Sequence, residues 1–173
     1  MKTNAIDSTR LVPADKLTLP GMGFGYLLGV AFLALEFGEQ ILDPTSTSTV
    51  PTPVGWAIGL AGLGYWLYCV YRFHQALQTV TDGAYPITPL RAALFHFLPL
   101  FNIYWLFHWT NTMAQFINAR GRAHMGIGWP GFLLLVAIVL KSLDGGLALL
   151  MLFAVGAYVS KRLRATLLPY GAS

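Results

Sequence analysis

The sequence predicts an all-α fold, a helical bundle embedded in a membrane with four transmembrane helices. Hydrophobic residues make up 55% of the 173 residues and charged residues only 10%, whereas a soluble domain averages about 25% charged residues. The apolar residues also form four long blocks instead of being spread along the chain. So few charged side chains could not cover a soluble particle of this size, and the apolar content excludes intrinsic disorder.

The blocks define the predicted organisation of the chain. A bilayer core needs about 20 mainly apolar residues per helix, which predicts spans at about residues 21–42, 54–73, 91–116 and 129–160 within one membrane domain, residues 20–160. Residues 1–19 are polar and lack the apolar core of a cleavable signal peptide. We expect them to form a cytoplasmic segment, and residues 161–173 to form a basic cytoplasmic tail.

The first two spans have clear boundaries. The first follows Pro20, since a missing N–H is tolerated at a helix start, and ends before Asp43-Pro44. Residues 45–53 (TSTSTVPTP) are uncharged and rich in Ser, Thr and Pro, which predicts an exposed loop. The second span carries aromatic residues towards its far end, typical of a membrane interface. Its helix is expected to continue to about residue 78, before a turn at Asp82-Gly83.

The third and fourth blocks are less regular. Thr88-Pro89 is a strong helix start, and Pro99 should kink the third helix. Asn102 is placed to hydrogen bond the carbonyl that such a kink exposes. The fourth block would be about 45 Å long as one helix, and residues 141–146 interrupt it. It is either one tilted span broken at Asp144-Gly146 or two half-helices.

Basic residues indicate the orientation. Most of them fit four spans with both termini in the cytoplasm, under the positive-inside rule. These are Lys2, Arg10, Lys16, Arg72, Arg91, Lys161, Arg162 and Arg164. Four spans would place Arg120 and Arg122 outside. A re-entrant helix over residues 92–109, followed by a hairpin bent at residues 144–146, would bring them inside and is the alternative.

Small residues recur at a spacing of four. Gly21, Gly25 and Gly29 share one face of the first span, and Gly55 and Gly59 do the same on the second. Small residues at this spacing let helix backbones approach closely in a membrane. We interpret both faces as helix-packing surfaces, in preference to a groove for a ligand.

Four charged residues in the first and fourth blocks could form an intramembrane charge network. Glu36 and Glu39 are three residues apart on one helix face, where ionisable groups are costly and often functional. Lys141 is the only basic residue inside the fourth block, residues 129–160, and Asp144 follows it closely. We interpret Glu36 and Lys141 as a structural ion pair that fixes helix register. Transfer of a proton or a cation through the four residues is the alternative.

Histidines offer a second kind of chemistry. His96 and His108 are twelve residues apart on the predicted third helix, which places them roughly 120° apart, so they do not form a same-face metal pair. Either could be an axial ligand of haem or a chlorophyll-type pigment, with His74 as the obvious partner from another helix. Cys69 is the only cysteine, which excludes a multi-cysteine metal site. We expect no cofactor.

The most informative stretch is about residues 71–118. It combines punctuating turn residues, ionisable groups and a ring of aromatic side chains. The ones we single out are Arg72, His74, Asp82, Arg91, Pro99 and Asn102. The arrangement Pro-Leu-Phe-Asn-Ile-Tyr-Trp within it resembles a segment of small, multi-span bacterial membrane proteins of unknown function. That resemblance implies a protein of the bacterial inner membrane and brings no activity with it.

Motifs of catalysis are absent from the sequence. It has no nucleophile elbow, zinc-protease motif or phosphate-binding loop, so we expect neither an enzyme nor a nucleic-acid partner. The preferred hypothesis is a non-catalytic accessory, assembly or scaffold subunit that packs against other membrane protein subunits or against itself. The alternatives are a small oligomeric transporter or channel that uses Glu36 and Lys141, and a haem- or pigment-binding subunit.

Overall fold

The structure, a computed structural model, describes residues 19–42, 52–98 and 100–167, without the side chains of residues 39, 40 and 42. Every regular element in these ranges is helical, so the prediction of an all-helical fold is confirmed. The elements are α1 (Gly23–Leu42), α2 (Pro53–Val80), α3 (Pro89–Leu94), a 3₁₀ turn (Phe95–Phe97), α4 (Phe101–Ala119), α5 (Trp129–Leu140) and α6 (Gly145–Leu167).

Threonine–proline pairs open α2 and α3. The hydroxyls of Thr52 and Thr88 each accept a hydrogen bond from the backbone N–H three residues on, at 3.2 and 3.4 Å. Pro53 and Pro89 follow them at the first helical position, where proline loses no helical hydrogen bond. The sequence predicts the second of these starts, and it also predicts that α2 continues beyond the apolar block to about residue 78; the helix ends at Val80.

The third predicted span is not one helix. α3 ends at Leu94, a 3₁₀ turn follows, and α4 begins only at Phe101. Leu98 is extended, with φ −83° and ψ 110°, as expected for a residue before proline. Leu100 has a positive φ of 61°. The prediction of a kinked, continuous helix over residues 91–116 is therefore wrong, since the helix breaks; Pro99 itself lies outside the described residues.

The fourth predicted block consists of two helices that pack side by side, α5 and α6. They are separated by a turn at residues 141–144. The Asp144 Oδ1 atom accepts a hydrogen bond from the Leu147 N–H at 2.8 Å, which caps a new helix. The predicted interruption is present, although α6, with 23 residues, is a full-length helix and not a half-helix.

Two helices, α2 and α6, are long and apolar enough to cross a membrane, by length and composition. α5 has only 12 residues, and the apolar part of α1 that is described with its side chains, Gly23–Gly38, is also shorter than a span. The prediction of four helices of spanning length is therefore wrong for the described part of the chain.

α1, α2 and α6 pack closely at glycines. A Cβ atom at Gly25 would overlap a phenylalanine ring of α6, and one at Gly29 would lie 2.8 Å from the Leu150 side chain. At Gly146 the obstacle is backbone, because a Cβ atom would lie 2.6 Å from the nitrogen of Leu33. α1 and α6 can therefore approach this closely only because a side chain is missing at the contact.

The segment from α3 to α4 leaves one end of the bundle and returns to it. The ring of Tyr85, just after α2, packs edge-on against Phe116 near the end of α4, with 6.1 Å between centroids. The Asn118 side chain then hydrogen bonds both the N–H and the carbonyl of Met125, at 2.8 and 3.0 Å. Tyr85 and Met125 therefore both lie beside the C-terminal part of α4.

Three arginines mark this end of the bundle, which we call the arginine end. The Gly126 N–H donates to the Tyr158 hydroxyl at 3.2 Å, so the C-terminal half of α6 joins those of α2 and α4 there. Each helix carries an arginine over an aromatic ring one turn earlier. The pairs are Arg72 over Tyr68, Arg120 over Phe116 and Arg162 over Tyr158, at 5.9, 4.5 and 5.2 Å. We call the opposite end, where α1 meets the start of α6, the Glu36 end.

Candidate functional site

Four side chains from four elements meet inside the bundle, towards the arginine end. They are His74 of α2, Tyr85 of the following loop, His96 of the 3₁₀ turn and Trp109 of α4, and we call them the imidazole–aromatic cluster. Ring centroids lie 5.6 Å apart for His74 and Trp109, 5.8 Å for His74 and Tyr85, and 6.4 Å for His96 and Trp109. His74 and Trp109 are completely buried.

The backbone holds both imidazoles in one tautomer. Nδ1 of His74 lies 2.9 Å from the carbonyl oxygen of Val70, and Nδ1 of His96 lies 2.8 Å from that of Ala92. Because a carbonyl oxygen can only accept, Nδ1 carries the proton in both rings. The Nε2 atom of each neutral ring therefore presents a lone pair.

Four buried polar atoms of the cluster have no hydrogen-bond partner among the described residues. These are Nε2 of His74, Nε2 of His96, Nε1 of Trp109 and the hydroxyl oxygen of Tyr85. Most buried polar groups in proteins are paired, and an unpaired one costs about 1–3 kcal/mol. A group of four in one place needs a functional explanation, so this cluster is the candidate functional site.

The loop after α2 is built to return Tyr85 to the bundle. The Thr81 hydroxyl donates to the Leu77 carbonyl and accepts from the Tyr85 N–H, both at 2.9 Å. Asp82 and Gly83 have positive φ values of 50° and 83° and reverse the chain, as the Asp-Gly pair predicts. Burial raises the pKa of the Tyr85 hydroxyl, so the hydroxyl keeps its proton and can act as a donor.

α4 supplies Trp109 and is fixed to α3 by a neighbouring tryptophan. Trp105 Nε1 donates to the carbonyl oxygen of Ala92 at 3.0 Å, the same oxygen that His96 uses. Met113 lies one turn after Trp109 on the same face of α4 and is also completely buried. The registry of α3 against α4 therefore decides which side chains meet in the cluster.

His108, the other predicted ligand, lies outside the cluster. Its Nδ1 atom is 3.0 Å from the hydroxyl of Tyr104 on the same helix, and the two rings stack at 5.2 Å. His96 and His74, the partner that the sequence offers from another helix, both pack against Trp109 instead.

Glu36 has the backbone of α6 as its partner. Its two carboxylate oxygens accept hydrogen bonds from the N–H groups of Gly145 and Gly146, each at 3.0 Å. A carboxylate is favoured at a helix N-terminus, where unpaired N–H groups and the helix dipole both attract negative charge. Glu36 therefore joins α1 to the start of α6.

The other predicted charged residues differ in their distance from this contact between Glu36 and α6. Asp144 caps α6 through its own side chain, beside Glu36. Lys141 is exposed in the turn before it. The Glu39 side chain lies outside the described residues. Hence the described contacts bring Glu36 and Asp144 together and give Glu36 a different partner from the predicted Lys141.

Some of the predicted helix-packing glycines lie at a contact between helices, and others do not. Gly25 and Gly29 lie against α6, and a Cβ atom at Gly59 would lie 3.3 Å from Phe32 of α1. A Cβ atom at Gly21 would meet nothing within 4 Å, and the Gly21 carbonyl instead accepts a hydrogen bond from the hydroxyl of Tyr65. Gly55 is buried at the start of α2, where its N–H donates to the Thr52 cap.

The remaining predicted residues lie in the segments that supply the cluster, residues 53–119. Arg72 is two residues before His74 on α2, Asp82 shapes the turn, and Arg91 stands in the first turn of α3. The side-chain oxygen of Asn102, in the first turn of α4, is buried without a hydrogen-bond partner among the described residues.

Sequence reasoning did not single out Trp109 or Met113. Aromatic and apolar residues are frequent throughout residues 95–117, so neither residue stands out there. Groups of three or more His, Cys, Asp or Glu side chains that could hold a metal ion do not occur within the described ranges.

Comparison of the chain with protein-family models, with curated proteins and with solved structures finds no match. The chemistry of the chain's own residues is the basis of the proposals below.

Proposed function

We propose that this chain is an integral membrane protein that acts as a non-catalytic accessory or assembly subunit of a larger membrane complex. α2 and α6 provide two helices of spanning length, and α1 and α5 add apolar helices beside them. Large apolar side chains on the outward faces support contact with lipid. Examples are Leu27, Val30, Leu60, Phe132 and Val139, each 54–63% exposed. In water, such faces would form unusually large apolar patches.

The distribution of lysine and arginine between the two ends of the bundle supports an orientation with the arginine end in the cytoplasm. Among the described basic residues, Lys141 is the one at the Glu36 end. The positive-inside rule places the side rich in lysine and arginine in the cytoplasm. The three arginines stacked on aromatic rings also suit a membrane interface, where aromatic side chains are common.

The observation that carries the subunit role is the break between α3 and α4. Phe97, Leu98 and Leu100 are 61%, 47% and 87% exposed, and they lie between the two α-helices, outside both. The start of α4 runs beside α5, because a Cβ atom at Gly131 would lie 2.9 Å from the Phe107 side chain. α5 carries no charged or amide side chain, so we infer that the break lies at the depth of the bilayer core.

Irregular backbone is not tolerated in direct contact with lipid, because its N–H and carbonyl groups would lack hydrogen-bond partners. It occurs at this depth only where protein covers it or water fills a cavity beside it. Residues 97–101 (FLPLF) are apolar, which favours a protein cover over water. The break therefore predicts a partner subunit that packs on residues 97–101.

A transporter that uses Glu36 and Lys141 is less well supported. A group that carries protons or ions must exchange partners during transport, and the Glu36 carboxylate is held by two backbone N–H groups of α6. This contact suits a structural role that fixes α1 against α6.

A mild-detergent affinity purification from native membranes, with mass spectrometry of the co-purifying proteins, tests the proposal. We expect the tagged wild-type protein to recover a stoichiometric set of other membrane proteins. Leu100→Asn should lose that set, because the new amide would have to be buried without a partner in the interface.

Leu60→Asn is the matched control. Leu60 is 62% exposed on a regular face of α2, so its substitution should leave the co-purifying set unchanged. Recovery of the wild-type protein alone or only as a homo-oligomer would contradict the proposal. Equal loss of the set in both variants would contradict the assignment of residues 97–101.

A further inference from the structure

We propose that the imidazole–aromatic cluster binds a monovalent copper ion, Cu(I). Nε2 of His74 and Nε2 of His96 are the two nitrogen ligands, the Met113 thioether is a third, soft ligand, and the Trp109 ring packs over the ion. This goes beyond the subunit role and does not depend on it.

Each imidazole has the backbone contact that is common in metal-binding histidines. A histidine that binds a metal commonly donates its other ring N–H to a carbonyl or a carboxylate, which fixes the ring and makes the ligating nitrogen more basic. Both Nδ1 atoms here donate to backbone carbonyls of their own helices. Both Nε2 atoms are buried and without a hydrogen-bond partner among the described residues, and both rings pack against Trp109.

Met113 is proposed as the third ligand because of its position on α4. Trp109 packs on His74, and Phe116 packs on Tyr85, which itself contacts His74. Met113 lies between these two residues on the same buried face of α4, so it faces the same region. A thioether is a ligand that Cu(I) favours, and imidazole nitrogen also suits copper.

Charge favours a monovalent ion. The side chains whose rings pack on the two imidazoles, Tyr85 and Trp109, are uncharged aromatics. A divalent ion would keep its full charge in these apolar surroundings, at a large solvation cost. A single charge costs less, and the faces of aromatic rings attract a cation further.

Other metal groups fit less well. Zn²⁺ takes four ligands in structural sites and three plus a water molecule in catalytic sites, and the described part of the cluster offers no carboxylate or thiolate to complete such a set. Haem bound between the two imidazoles would displace the Trp109 ring, which packs against both of them.

Anaerobic titration of the detergent-purified, full-length protein with Cu(I), against a colorimetric Cu(I) chelator, tests the proposal. We expect one Cu(I) per chain and quenching of tryptophan fluorescence at the same equivalence. His74→Leu and His96→Leu should each weaken binding at least tenfold, and Met113→Leu should weaken it several-fold. X-ray absorption should show nitrogen and sulfur ligands in the wild type, with the sulfur lost in Met113→Leu.

His108→Leu is the control, because His108 lies in the same segment but outside the cluster, and it should bind Cu(I) as the wild type does. Each variant is first checked for helix content and monodispersity, so that loss of binding is not loss of folding. Binding that is equal in the wild type and in the His74→Leu, His96→Leu double variant would overturn the proposal. Zn²⁺ binding at the same site with equal or higher affinity would overturn its monovalent character.

Discussion

Between α1 and α6 at the Glu36 end, helix backbones meet at glycine, whereas between α2 and α4 the rings of Trp66, His74 and Trp109 fill the space. The two contacts also differ in how their polar groups are satisfied. Both Glu36 oxygens have backbone partners at 3.0 Å. Four polar atoms of the imidazole–aromatic cluster have none among the described residues.

We infer from this difference that the α1–α6 contact stabilises the fold, whereas the imidazole–aromatic cluster serves binding. Close helix packing and a doubly bonded carboxylate both favour the folded state. Unpaired buried nitrogens oppose it and persist in proteins where function requires them. Substitutions at the Glu36 end should therefore destabilise the protein, while substitutions that remove polar atoms from the cluster should not.

Gly146→Ala should have the largest effect on stability. Its methyl group would lie 2.6 Å from the backbone nitrogen of Leu33, and backbone cannot move aside as a side chain can. Overpacking of this kind costs typically 1–3 kcal/mol, and we expect about 3 kcal/mol. The measurement is unfolding of the detergent-purified protein by SDS titration, followed by circular dichroism.

Gly64→Ala is the control for that substitution. A Cβ atom there meets nothing within 4 Å, and alanine favours a helix over glycine by roughly 0.5–1 kcal/mol. We expect unchanged or slightly higher stability. Similar losses for the two variants would mean that the α1–α6 contact has no special role.

Glu36→Ala should destabilise the protein by about 2 kcal/mol. It removes both acceptors of the Gly145 and Gly146 N–H groups, and a hydrogen bond to a charged group is worth about 1.5–3 kcal/mol. Glu36→Gln keeps one acceptor oxygen and should lose roughly half as much. An unchanged SDS midpoint for Glu36→Ala would show that solvent replaces the carboxylate at no cost.

His74→Leu should leave metal-free protein as stable as the wild type or more stable by about 1 kcal/mol. The substitution removes a buried nitrogen that has no partner among the described residues, and such a nitrogen costs about 1–3 kcal/mol. It also loses ring packing against Trp109, which offsets part of the gain. The unfolding midpoint in the presence of a copper chelator checks this expectation.

Addition of Cu(I) to the wild type and to His74→Leu tests whether the cluster binds the ion. Cu(I) should raise the midpoint of the wild type and leave that of His74→Leu unchanged, because a ligand stabilises only the state that binds it. A loss of several kcal/mol for His74→Leu without metal would mean that the cluster is ordinary core packing.

Local signals in the sequence predicted much of the helical architecture. The Thr88-Pro89 start, the Asp82-Gly83 turn and the contacts at Gly25 and Gly29 depend on residues that are neighbours in the chain or share one helix face. The break after Leu94 was predicted only as a kink. A proline within an apolar block is compatible with either outcome, and packing of α4 on α3 through Trp105 decides it.

The partners of the site residues could not be predicted, because they depend on contacts between distant segments. Glu36 is more than a hundred residues from Gly145, and its partner is backbone, which carries no sequence signal. The Lys141 pairing was inferred from charge alone. His74 and His96 could be named as a possible pair across helices, but their meeting at Trp109 required the return path of α3 and α4.

Leu100→Gly should have the smallest effect on stability and the most specific consequence. Leu100 has φ 61° and ψ −47°, a sparsely populated combination that costs a residue with a Cβ atom about 1–3 kcal/mol. Glycine avoids that cost but loses about 0.5–1 kcal/mol of chain entropy on folding, so the isolated protein should gain about 0.5–1 kcal/mol.

The Leu100 side chain is 87% exposed, so in the isolated chain its packing does not offset the cost of its backbone conformation. If its side chain is instead the centre of a subunit contact, Leu100→Gly should raise the unfolding midpoint and at the same time reduce the recovery of partner proteins from native membranes. A gain in stability with full recovery of the partners would show that the contact lies elsewhere on the surface.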